Sequence, residues 1–79
     1  MSRFFFDVHD GTMHLDEFGM ESINLEDARS IGLRLLSELN RDDIAKGCDR
    51  YALTVLISDE DHHPVYTATL SLTGIWLLR

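Results

Sequence analysis

The sequence predicts an α+β fold: a two-layer sandwich in the order β-β-α-β-β, one amphipathic helix packed on a four-stranded antiparallel or mixed sheet. Three observations point there. Only residues 24–40 carry a long helical period. Four other apolar runs, at about 3–9, 12–18, 51–58 and 65–72, alternate or nearly alternate as strands do. Turn residues divide those runs into pairs: Asp10-Gly11 in the first, a charged segment ending in Pro64 in the second.

The first strand, residues 3–9, alternates Phe4, Phe6 and Val8 with Phe5, Asp7 and His9, and the first set should face the helix. Asp10-Gly11 turns the chain into the second strand, the least regular one, with Met13, Leu15 and Phe18 as its apolar members. Gly19 breaks it, and the chain climbs to Asn24.

The helix is predicted over about 25–40. Leu25, Ala28, Ile31, Leu35, Leu36 and Leu39 fall on one face. Gly32 shares that face, and since glycine costs a helix roughly 1 kcal/mol relative to alanine, it marks a close approach to the layer beneath. Asn24 is the N-cap, Asp27 stands three residues on as a short-armed capping box, and Ile23 is placed to staple against Ala28. Glu26 and Asp27 suit the positive end of the helix dipole, Arg41 suits the other end, and Arg34 is one turn from Glu38. Leu33 lies off the stripe, as Ile44 would if the helix ran so far. Two readings stay open: a single exposed leucine on a helix that ends before Ile44, or a second contact face.

Residues 41–50 are polar and carry Gly47, a turn or stop into the second half. The strand at 51–58 has Leu53, Val55 and Ile57 on one face and Ala52, Thr54, Leu56 and Ser58 on the other, which places it centrally. The last strand sets Tyr66, Ala68, Leu70 and Leu72 against Val65, Thr67, Thr69 and Ser71. The open sheet face should then show Asp7, His9, Thr54, Ser58, Thr67, Thr69 and Ser71, with Phe5, Leu56 and Val65 as apolar islands. The segment 74–79 is an apolar tail.

The totals bound the function. A chain of 79 residues makes one domain with a thin core, the size at which oligomerisation often supplements stability. Its single cysteine, Cys48, permits no internal disulfide, and no segment reads as a signal peptide or a membrane span, so a cytoplasmic, membrane-free protein is expected. The formal net charge is −7, from 14 acidic and 7 scattered basic residues, the wrong balance for binding nucleic acid.

No catalytic arrangement is legible. Asp49 beside Cys48 opposes an activated thiolate, no nucleotide-binding or nucleophile-elbow motif occurs, and an enzyme is not expected. No cofactor is expected either. His9, His14, His62 and His63 lack metal-ligand spacing, although a metal- or ligand-binding domain built on them is a third reading. Apolar surface remains in excess: Phe5, Leu33, Leu56, Ile75, Trp76, Leu77 and Leu78 exceed what a small sheet-and-helix unit hides. Either the tail packs on its own core, or these residues serve association.

The residues also carry a family resemblance. The opening FFFDVHDG is followed by Asp16, Gly19 and then Leu25-Glu26-Asp27-Ala28. Later, D-x-x-P-V-x-x-x-x-L-S-L runs from Asp61 through Pro64-Val65 to Leu70-Ser71-Leu72. Together these resemble a family of short bacterial, rhizobial proteins called domain of unknown function 6894. The likeness covers nearly the whole chain and implies no activity, ligand or catalytic residue. Members typically have a glycine before the Pro-Val, where this chain has His63. A fainter likeness is to the antitoxin half of HicA–HicB pairs, without the DNA-binding segment; it implies an acidic subunit that masks a basic partner. The expectation is a small non-catalytic interaction domain that self-associates, a dimer above all. An antitoxin-like regulatory subunit with a protein partner is the alternative.

Overall fold

The computed structural model describes residues 2–45 and 49–78, and the side chains of all of these but 40–45. Among them run β1 (Ser2–His9), β2 (Met13–His14), β3 (Met20–Ser22), α1 (Leu25–Ala45), β4 (Arg50–Ser58) and β5 (Pro64–Thr73). All the pairings are antiparallel, and the sheet has the order β2-β1-β4-β5, with β3 also paired to β1. The stop expected at Gly47 and the thiol of Cys48 lie outside the described residues.

The alternation read from the sequence sets the two faces. Phe6 pairs with Ile57 and Val8 with Val55; across the next ladder, Ile57 pairs with Tyr66, Val55 with Ala68 and Leu53 with Leu70. Paired residues share a face, so one face collects Phe4, Phe6, Leu53, Val55 and Ile57, which with Ala28 and Leu36 of α1 form the core. β4 is central, as its two-sided apolar pattern predicts. Phe5, Leu56, Thr54, Thr67 and Thr69 turn to the open face, where the Thr54 and Thr69 hydroxyls lie 2.8 Å apart. Ser58 is the exception on that face, being buried. The β4–β5 register shifts between Ile57 and Ser58 and leaves Val65 as the extra residue of a bulge.

Gly32 marks the close approach expected of it. A Cβ there would stand 2.8 Å from Ile57 Cδ1 and 3.7 Å from Val55 Cγ1. The Asn24 cap also forms, with the Asp27 N–H donating to Asn24 Oδ1 at 2.9 Å. The Asp27 carboxylate does not reach back to the Asn24 N–H, as a capping box would. It accepts from the Ser22 hydroxyl at 2.6 Å and from the Ile23 N–H at 3.4 Å.

Five expectations are corrected. The strand predicted at 12–18 is two short strands, β2 and β3, with residues 15–19 between them. The cause is Asp16: its carboxylate accepts from the Phe6 N–H on β1 (3.1 Å) and from the N–H groups of Phe18 and Gly19 (3.2 and 3.0 Å), so a side chain occupies the place of a strand backbone. Phe18 is consequently 81% exposed. The helix runs to Ala45 instead of stopping near 40, since neither glycine nor proline interrupts residues 33–46. Ile44 is therefore inside the helix, and Arg41 lies before its last turn. Ile23 and Leu25 are exposed, so no staple covers Ala28. Arg34 and Glu38 form no ion pair with each other; among the described residues of the helix, Arg29 pairs with Glu26 at 3.5 Å.

Candidate interaction surface

One helix cannot cover this sheet. Three intervals of about 4.8 Å set the outer strands some 14 Å apart, and a helix is about 10 Å wide. α1 lies over β4 and β5 and touches β3. Toward Val8 the inner face of β1 lies beside α1 as the floor of a groove. Phe6 and Val8 form that floor, Ile31 and Leu35 of α1 form one wall, and Leu15 and Met20 form the other; the groove encloses about 740 Å³. The 15–19 segment makes the outer wall because Asp16 folds it against β1. Asp7 Oδ1 in turn accepts from the Asp16 N–H at 2.9 Å.

The rim is charged and mainly acidic, with Asp16, Asp27 and Glu38 against Arg34 and His14. Asp27 is held below the usual carboxylate range, first by the Ser22 hydroxyl, then by the Ile23 N–H, with the Arg34 charge adding. His14 Nε2 lies 3.2 Å from Asp10 Oδ1, an exposed pair. Asp10 is also lowered, chiefly by the Thr12 N–H.

The residues singled out from the sequence stand in three separate places. Phe5 and Leu56 are half-buried on the open sheet face, with the Phe5 ring 4.7 Å from that of His62. Leu33 is on the outer side of α1, 37% exposed. The tail follows β5: Gly74 donates its N–H to the Asp49 carbonyl, and then Ile75, Trp76, Leu77 and Leu78 stand 71, 80, 90 and 84% exposed. In this structure the tail does not pack on its own core. The groove was not read from the sequence. Its one signal there is the broken alternation of 12–18, with Asp16 standing in the break.

The histidines do not converge. His9 is exposed, His14 is at the groove, and His62 stacks on Phe5. Among the described residues, Asp59, Asp61 and His63 gather within 4.8 Å. Asp59 Oδ1, however, accepts from the N–H groups of Asp61 and His63, both at 2.9 Å, so the grouping is the hydrogen bonding of the β4–β5 turn. Among the described residues, no helix is long and apolar enough to cross a membrane.

Among the described residues, a single helix on an open antiparallel sheet defines an α+β domain. The chain belongs to the family described as domain of unknown function (DUF6894), whose profile matches residues 3–71. No curated protein and no solved structure matches it.

Proposed function

We propose that this chain is a small non-catalytic interaction domain that self-associates, most simply as a dimer. The observation that carries the reading is the run Ile75–Trp76–Leu77–Leu78, 71 to 90% exposed beyond the end of the sheet. Contiguous exposed apolar surface marks interaction sites, and tryptophan is a favoured anchor in them. Two copies with a charge of −7 each repel one another, and the tail residues 75–78 add no acidic side chain to a contact.

Light scattering across a dilution series tests this. The expected mass at the concentrated end is twice the 9.1 kDa of the chain, and added salt should strengthen the association by screening the repulsion. A mass that stays at one chain at every concentration would sink the proposal.

A further inference from the structure

We infer that the free edge of β5 pairs antiparallel with β5 of a second copy, about a two-fold axis at Thr69, to make one continuous sheet. This rests on the self-association reading and names its surface.

The edge is open. β5 pairs with β4 alone. Gly74, at the end of that ladder, donates its N–H to the Asp49 carbonyl, and backbone groups alternate in direction along a strand. Tyr66, Ala68, Leu70 and Leu72 therefore turn their backbone groups to β4, while Thr67, Thr69 and Ser71 turn theirs outward. Exposed edges are usually blunted by charge, proline or a bulge. β5 has its proline and its bulge at the start, at Pro64 and Val65; from Tyr66 to Thr73 it has neither, and no charged residue.

The opposite edge is blunted. β2 and β3 have only two and three residues, and between them the Asp16 carboxylate takes the Phe6 N–H. Among the described residues, then, each copy offers one long open edge. Head-to-tail stacking would need two, so the pairing closes at two chains.

The edge complements itself, which is why a second copy is its occupant. An axis through Thr69 sets Thr67 opposite Ser71 of the second copy, and Thr69 opposite its own counterpart. These three outward-facing pairs make about six hydrogen bonds. Toward the helices the same register sets Tyr66 opposite Leu72 and the small Ala68 opposite Leu70, which is 37% exposed in the single chain. Each copy has a charge of −7, yet no charged residue of this edge meets its like across the axis.

The helix supports the same axis. Arg29 lies over the Tyr66 ring, and Gly32 reaches Val55, the partner of Ala68, so α1 advances along β5 from Tyr66 toward Ala68. Leu33, one turn after Arg29 on the same flank, is about 6 Å further along, level with Ala68 and beside the axis. With α1 over the β4–β5 interval, two strand spacings separate the paired helices, roughly 10 Å, close to the contact distance of packed helices. The exposed Leu33 of each copy then faces the other, which accounts for a leucine off the core stripe.

Amide exchange across a dilution series tests this on the unaltered protein. In concentrated solution the N–H groups of Thr67, Thr69 and Ser71 should exchange at least tenfold more slowly than in dilute solution, while those of Ala68 and Leu70, already bonded to β4, should change far less. Thr69→Pro removes an outward N–H that β4 does not use, and should dimerise at least tenfold more weakly. Thr69→Lys and Thr69→Glu each place like charges opposite one another at the axis, and each should dimerise about two- to fivefold more weakly. An equimolar mixture of the two should recover dimer, because opposite charges then meet. If the wild type dimerises while the three outward amides exchange equally fast throughout, or if the mixture associates no better than its components, the β5 edge is not the contact and self-association stands by another surface. A wild type that is monomeric at every concentration overturns both.

Discussion

Gly32 lets α1 settle onto Ile57: a Cβ at position 32 would stand 2.8 Å from Ile57 Cδ1, in a core where Ile57 is fully buried. Gly32→Ala should gain about 1 kcal/mol of helix propensity and lose about 1–3 kcal/mol to overpacking, for a net loss of up to about 2 kcal/mol. Ile57→Val removes the obstructing methyl and alone costs about 0.5–1.5 kcal/mol. In the double variant the missing Cδ1 makes room for the new Cβ, so the combined loss should fall short of the sum by about 1 kcal/mol or more. Denaturant unfolding of the four proteins closes the cycle. Additivity within about 0.5 kcal/mol would show that the two atoms do not compete.

Asp16 and Gly19 shape the outer wall of the groove. Asp16→Ala strips a side-chain acceptor from three backbone N–H groups, those of Phe6, Phe18 and Gly19. The expected loss is about 1–3 kcal/mol, with faster amide exchange at Phe6. Gly19 has φ +71°, and a Cβ there would lie 2.8 Å from the Phe4 carbonyl oxygen. Gly19→Ala should cost about 1–2 kcal/mol for the left-handed backbone alone, with the clash in addition. Stability within about 0.5 kcal/mol of wild type for Asp16→Ala would mean that water replaces the carboxylate at no loss.

The core was legible because it depends on period alone. Phe4 and Phe6, then Leu53, Val55 and Ile57, alternate without interruption, and the helix stripe lands on them with Gly32 at the tightest point. The groove was not legible, since two features that form it leave little trace in a hydrophobic pattern. One is a side chain acting as strand backbone, at Asp16. The other is a helix narrower than its sheet, a matter of strand order. The last hairpin shows the same limit. His63 precedes Pro64, yet the left-handed residue is His62, at φ +63°. The turn is set by Asp59, whose carboxylate and carbonyl take N–H groups from the following residues, and a propensity reading does not show which residue then carries the strain.

The acid limb of the stability curve should belong in part to Asp27. Its carboxyl is held below the usual range by the buried Ser22 hydroxyl, then by the Ile23 N–H, with Arg34 adding. The folded pKa therefore lies below the unfolded value, about 3.9. The stability that this group contributes is fully present above the unfolded pKa and is lost as pH falls through the folded one. The curve should be flat in this respect from about pH 5 to 7 and fall below about pH 4. Asp10, lowered chiefly by the Thr12 N–H, adds to the same limb. Asp27→Asn should be less stable than wild type at neutral pH, because a neutral amide is a weaker acceptor for Ser22 and a weaker partner for the helix dipole. Its acid limb should be shallower, since the Asp27 share is gone. Melting temperatures of both proteins between about pH 2.5 and 7 decide the matter: two curves that stay parallel through the acid limb would show that the Asp27 proton is not linked to folding.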